Sequence, residues 1–217
     1  MPAKKQAAKK PSNRQAAYIA RNRSELIKMG QEVLAEIGPA ATIEELSEYA
    51  QVSPTTIYKY FKNKELLFSE ALSQMWLDWV VWSYNVVPPG QDLETVITTG
   101  RKLFWIKQTH PLFAKVLHNT LANPTFIIEA VKEGGVEVFR ALANQDLLAK
   151  DEFEKRMILW GYALAGILTA VHVSEELSPT EAEVALALAL SIWGVSEVKA
   201  KKLISKKLIF APVNQKK

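Results

Sequence analysis

Residues 42–64, TIEELSEYAQVSPTTIYKYFKNK, decide the fold. Thr42 with Glu45 three residues later is a capping box: the hydroxyl accepts from the third amide and the carboxylate reaches back to the first. Ile43, Leu46 and Ala50 then recur at helical spacing and form a buried stripe. A second helix start follows at once. Ser53 can cap, and Pro54 occupies the first helical position, where its missing N–H costs nothing. Ile57 and Phe61, four apart, give this second helix its inward face. Two capped helices separated by so few residues must cross, which makes a helix-turn-helix, the unit that sets its second helix in a DNA major groove.

Outward from Ile57 and Phe61 lie Pro54, Thr55, Tyr58 and Lys59. Threonine can bond a base edge or set its methyl against that of thymine, and lysine can donate to guanine O6 or N7. The run AQVSPTTIYKYFKNKELL resembles the recognition segment of TetR-type transcriptional regulators, and residues 24–37 fit that family's first helix. The resemblance implies that Pro54, Thr55 and Lys59 read bases. It implies that Thr56, Tyr58, Tyr60 and Lys64 grip phosphates, with Thr42 in a similar role at the start of helix 2. Ser53 completes the candidate DNA-binding set. For Thr42 and Ser53 a plain capping role stands as the alternative, and for Tyr60 a place partly in the core. The chain departs from the family pattern twice: Gln51 stands where a turn glycine is usual, and Ser47 where a small alanine is usual. A non-glycine held at positive φ in that turn costs about 1 kcal/mol.

The 217 residues, 48% of them hydrophobic, suffice for real cores, and the absence of Cys excludes disulfides, thiolate metal sites and a cysteine nucleophile. That composition fits a cytoplasmic protein. The longest apolar run, Met157–Val173, carries Tyr162, Thr169 and His172 and falls short of a membrane span. A secretory leader is not expected, because no apolar stretch follows the Lys-rich start. The net charge of +4 conceals a segregation: residues 1–24 and 198–217 each hold seven basic residues and no acid between Val198 and the end or before Glu25. All 23 acidic residues therefore lie in the body between. A basic arm beside a helix-turn-helix suits phosphate attraction, and a solubilising disordered tail is the alternative.

The fold class expected is all-α. Helix 1 spans about 24–37, closed by Gly38-Pro39, and a long fourth helix, capped by Asn63, spans Lys64 to about Tyr84. Further helix starts fall at Asp92, His110-Pro111, Asn123-Pro124, Asp151 with Glu154, and the capping box Ser178-Pro179-Thr180-Glu181. The boundaries expected are a disordered basic arm over 1–22, a DNA-binding domain over 23–69, a helical regulatory and dimerisation domain over 70–210, and a tail over 211–217. WGYALAGILTAVHV and VALALALSIWGV are apolar on most of their surface. Helices of that kind need burial nearly all round, and pairing with a second copy in a four-helix bundle provides it. The family resemblance implies the same dimer.

Trp76, Trp79 and Trp82 recur at three-residue spacing on helix 4. Apolar, aromatic pockets with few polar groups suit small molecules. The candidate ligand set is therefore Trp79, Trp82, Phe104, Trp105, Gln108, Phe113, His118, Asn119, Phe126, Trp160 and Tyr162, with plain core packing as the alternative for each ring. The resemblance implies an inducer bound here and a swing of helix 4. His110, His118 and His172 are scattered, without HExxH or a carboxylate at ligand spacing, and no Walker A, GxGxxG or GxSxG sequence occurs. An enzyme is not expected, nor a metal or cofactor. The reading is a regulator that binds a palindromic operator as a homodimer, most simply a repressor released by a small apolar or aromatic effector. The alternatives are a partner-recruiting or architectural DNA binder of the same fold without an inducer, and a carrier or enzyme that retains a vestigial motif.

Overall fold

A computed structural model describes residues 13–84, 92–121 and 135–212. Helices are the regular structure of those residues, with no strand among them. The elements are α1 Asn13–Glu36, α2 Ile43–Ala50, α3 Pro54–Tyr58 and α4 Lys64–Tyr84. After them come α5 Leu93–Arg101, α6 Ile106–Thr109, α7 Pro111–Thr120, a helical stretch over 135–144 (α8), α9 Phe153–His172, α10 Pro179–Ala189 and α11 Glu197–Ile204. Short 3-10 turns, Lys102–Trp105 and Leu190–Trp193, continue α5 into α6 and extend α10.

The first domain packs α1 across α4 and sets α2 and α3 against them. Val33, Leu34, Leu46, Ile57, Phe61, Leu67 and Ala71 are essentially inaccessible there. Gly30 allows the close crossing: a Cβ on it would lie 3.4 Å from both Ala71 and the Leu67 side chain. Arg23 pairs with Glu70 of α4 and lies 4.8 Å over the Phe61 ring, which fixes the crossing angle from its outer edge. The regulatory half is built on α9 and α10, which pack side by side, with α5 against α11 and α7 against α9. α7 also packs on α1, so the two halves meet at α1 as well as along α4.

Several expectations change. α1 begins at Asn13, not near residue 24, so the arm expected over 1–22 is helical from its thirteenth residue onward. Its Ala, Arg and Gln residues are good helix formers, which the reading of the segment by charge alone concealed. α11 lies within the helical domain expected over 70–210 but was not singled out there as a helix of its own; Ser196 accepts from the Lys199 amide as its cap, and Ala200 and Leu203 are buried. The segment expected as one helix from Asp92 to about Gln108 is broken by the 3-10 turn at Lys102. Asp151 does not cap α9: its carboxylate instead takes Arg156 at 2.7 Å, and the cap position belongs to Glu152 at φ 53°. The starts at Asp92, Asn63 and Ser178 are as expected, each side chain accepting from the amide three residues on. The Asn123-Pro124 start and Gly134 lie outside the described residues.

Candidate nucleic-acid interface

The helix-turn-helix is assembled from local bonds. The Thr42 hydroxyl accepts from the Glu45 amide at 3.2 Å and the Glu45 carboxylate accepts from the Thr42 amide at 2.7 Å. The same Thr42 amide holds the Glu45 carboxyl below the usual carboxylate range. α2 ends on Gln51 at φ 53° and ψ 39°, the left-handed region, with the Val52 amide reaching the Ser47 carbonyl. This is the Schellman closure that usually takes glycine. Ser47 is buried, and its hydroxyl donates to the Ile43 carbonyl at 2.7 Å, so the polar atom in place of alanine is satisfied. Ser53 caps α3 through the Thr56 amide, and its hydroxyl meets that of Thr56 at 3.0 Å.

Ile57 and Phe61 face inward, which leaves Ser53, Thr55, Tyr58 and Lys59 exposed and Pro54 and Thr56 half-buried. Tyr58 is 52% exposed, a large ring with nothing of its own domain covering it. α3 closes after Tyr58, so Lys59 and Tyr60 sit in the turn that follows, the Lys59 ammonium 5.6 Å from the Tyr60 ring centre. Tyr60 is half-buried and its hydroxyl accepts from Asn22 of α1 at 3.1 Å. Thr42 is exposed at the start of α2. Lys64 has a structural bond the sequence did not reveal: its ammonium donates to the Ala41 carbonyl at 2.6 Å and ties α4 to the loop before α2. Lys64 therefore has a structural role beside the phosphate contact expected of it.

The aromatic set is divided rather than gathered in one place. Trp79, Trp82, Phe104, Phe113 and Trp160 are all nearly inaccessible. Trp76 contacts Trp79 at 5.3 Å and Phe113 edge-on at 6.5 Å. One turn on, Trp82 meets His110 at 4.6 Å and stacks on Phe210, which also touches Trp105. Trp160 belongs to another group with Phe139, Phe153 and Trp193. Tyr162 is 58% exposed on the outer face of α9, and Gln108 is exposed at the end of α6, so neither joins these rings. Phe126 lies outside the described residues. Asn119 is engaged elsewhere, donating to the Leu34 and Ala35 carbonyls at 3.0 and 2.9 Å.

A groove of about 410 Å³ between α1, α7 and α9 is lined by Glu36, Lys107, Lys115, His118, Asn119 and His172 among others, more polar than the expected pocket. His118 donates Nδ1–H to the His172 carbonyl and His172 donates Nε2–H to the Leu103 carbonyl, since a carbonyl can only accept. Burial holds the His172 and His110 imidazoles below the ordinary histidine range.

Sequence reasoning passed over Lys102 and Phe210. Lys102 is fully buried, its ammonium donating to the Ser83 carbonyl and lying 5.7 Å from the Trp82 ring. Its only sequence signal is a lysine in an otherwise apolar run, LFWI, after Arg101. Phe210 belongs to a terminal strap whose Ala211 carbonyl accepts from the Trp82 indole at 3.2 Å. No cluster of three or more His, Asp or Glu side chains suited to a metal occurs among the described residues. No helix described is long and apolar enough to cross a membrane.

The family model for bacterial regulatory proteins of the tetR family matches residues 26–71, the span from α1 into α4. No curated protein matches the sequence. Among solved structures, RolR in complex with resorcinol is similar over 89% of this chain and 98% of its own, at 15% identity and a TM-score of 0.66. RolR without ligand is similar over 85% and 97%, at 16% identity and a TM-score of 0.63. A TetR-family regulator from Streptomyces coelicolor A3 is similar over 92% and 100%, at 16% identity and a TM-score of 0.54. These likenesses extend the shared fold over the regulatory half that the family model leaves unmatched. Residues 26–71 thus carry the helix-turn-helix domain of the tetR family of bacterial regulatory proteins, and the rest of the chain shares the fold of the TetR-family regulators of known structure.

Proposed function

We propose that this regulator is a repressor that binds a palindromic operator as a homodimer and is released by a small aromatic molecule. The observation that carries the reading is the outward face of α3. Thr55 and Tyr58 on α3, and Lys59 just after it, are exposed, while buried Ile57 and Phe61 lock the opposite side of the segment. In this reading Pro54, Thr55 and Lys59 meet base edges. Thr42, Ser53, Thr56, Tyr58, Tyr60 and Lys64 hold phosphates, Lys64 also bracing the loop before α2.

Dimerisation is supported by the outer faces of α9 and α10. Ile158, Leu159, Tyr162 and Gly166 recur along one side of α9, and Val184 and Leu188 along one side of α10, all exposed in the single chain. A second copy would cover this stripe, and a twofold dimer of recognition helices calls for a palindromic site. An aromatic effector is supported by the rings around α4 and by the resorcinol bound to RolR. Trp79 Nε1 and His110 Nδ1 are buried without a hydrogen-bond partner among the described residues, and they offer such a molecule its polar anchors.

Selecting bound sites from random and genomic DNA tests the reading. The expected outcome is a palindrome whose half-site preference shifts with Thr55→Ala or Lys59→Ala. Phenols and aromatic acids, screened by thermal shift and by release of that operator, then identify the effector. Binding without sequence preference, or preference that ignores both substitutions, refutes the assignment of α3.

A further inference from the structure

The first turns of α1 serve no purpose in the fold of a single chain. Every described side chain from Arg14 to Arg21 is exposed, including Tyr18 at 55% and Ile19 at 37%. These turns continue a helix already nucleated by its packed part, so they form without contacts of their own and present their whole surface to a partner. Three observations say which partner. The C-terminal end of α1 is held in the regulatory half by Asn119 and by the Glu36–Lys115 ion pair. Asn22 reaches the Tyr60 hydroxyl, directly after the recognition helix. The turns before Asn22 therefore leave the molecule on the recognition side, away from the regulatory half, and reach about 13 Å further at 1.5 Å per residue.

The exposed surface is also cationic. Arg14, Tyr18 and Arg21 fall on one face, at spacings of four and three. Arg21 has the exposed, loose pair with Glu25 at 3.6 Å and lies 5.8 Å over the exposed Tyr18 ring, whereas Arg23, a turn-mate, is spent on Glu70 and Phe61. Lys4, Lys5, Lys9 and Lys10 precede this face in the sequence and no acid occurs before Glu25.

We propose that the N-terminal extension of α1 is a second DNA-contacting element, with Arg14 and Arg21 meeting backbone phosphates of the duplex that flanks the half-site read by α3. This rests on the DNA reading of α3 given above, and extends it to sequence outside the half-site. Contacts of this kind add affinity and salt dependence without base specificity.

The test uses the full-length chain and the selected operator, with binding followed by fluorescence anisotropy from 50 to 300 mM salt. Arg14→Ala/Arg21→Ala should lower the slope of log affinity against log salt by about 1.8 per protomer, leaving half-site preference unchanged. Trimming the duplex to the half-sites should bring the wild type down to the variant and leave the variant where it was. An unchanged slope, or equal loss on trimmed and flanked duplexes, overturns the inference. Lys59→Ala is the control that separates the two readings. If it weakens binding while the arm variant does not, the arm fails and α3 stands; if neither substitution matters, the reading of α3 has failed and the arm with it.

Discussion

Removing the carboxylate of Glu183 should destabilise the regulatory half far more than removing both it and its partner. Arg101, at the end of α5, is 3% exposed. One guanidinium nitrogen donates to Glu183 Oε2 at 2.6 Å, and another to the Lys206 and Leu203 carbonyls at 2.8 and 3.3 Å. The second Glu183 oxygen accepts from the Trp105 indole at 3.2 Å. Glu183→Leu strands a buried guanidinium on two neutral carbonyls and orphans an indole N–H. Losing one partner of a buried pair costs about 3–5 kcal/mol, and the orphaned donor places this case toward the upper end. Arg101→Met should cost about 3 kcal/mol, since Trp105 still partners the carboxylate left behind. The double variant carries no stranded charge; it loses the bonds to the two carbonyls and leaves the partly exposed Trp105 indole N–H without its acceptor, about 2 kcal/mol in all. Its cost should thus fall below that of either single substitution, with a coupling energy above about 3 kcal/mol. Equilibrium urea unfolding followed by tryptophan fluorescence measures the cycle. Single costs that add to the double cost within about 0.5 kcal/mol would refute the reasoning and show that the pair is solvated in solution.

Gln51→Gly should raise the melting temperature by the equivalent of up to about 1 kcal/mol, because the residue sits at φ 53°, and a lower melting temperature would reveal a use for the exposed side chain. Stability should fall as pH drops below about 6.5, the ordinary histidine value. The unfolded chain then takes protons that buried His172 and His110, held low by desolvation, refuse. His172→Gln should flatten that dependence in melts between pH 5 and 7.5. On the proposed dimer, the wild type should sediment as a dimer, and Leu159→Glu with Leu188→Glu, at positions 56% and 67% exposed, should leave the fold intact and yield a monomer. Asn119→Ala should cost about 1–3 kcal/mol by stripping two carbonyls of α1 of their donor, measured by the same urea titration.

The helix-turn-helix was legible because every signal in it is local. A capping box, a proline at the first helical position and two apolar residues four apart act within one or two turns, and each is realised in the structure. The positive φ of Gln51 was legible for the same reason. Charge proved a poor guide to local structure: basic composition hid the start of α1 at Asn13, and within the helical domain expected over 70–210 the cap that Ser196 announces for α11 was passed over. The ligand set was the least legible. Helical spacing tells which tryptophans of α4 share a side, but not that Trp82 turns to His110 and Phe210, or that Trp160 meets Phe139, which in turn meets Trp193. Those pairings depend on where α7, α8 and the terminal strap are set by the rest of the core, information spread over the whole chain.

The division of the candidate set also bears on how the two halves communicate. If α4 alone joined them, the regulatory state could reach α3 only through the rings on α4. Instead α1 is held at two places: along its middle by α4, through Arg23 and Gly30, and at its C-terminal end by α7, through Asn119 and Lys115. Gly38, at φ 95°, lets the chain turn away under Asn119, whose Cβ lies 3.4 Å from where a side chain would begin. α7 in turn begins at His110, the residue against which Trp82 of α4 packs edge-on. A displacement at Trp82 therefore has two routes to the recognition helix, directly along α4 and through α7 into the end of α1. Because α1 is a single continuous helix, a shift at its α7 end is carried rigidly to Asn22 and the Tyr60 hydroxyl. The residue that links α1 to the recognition turn and the residue that links it to the regulatory half thus sit on the same rod.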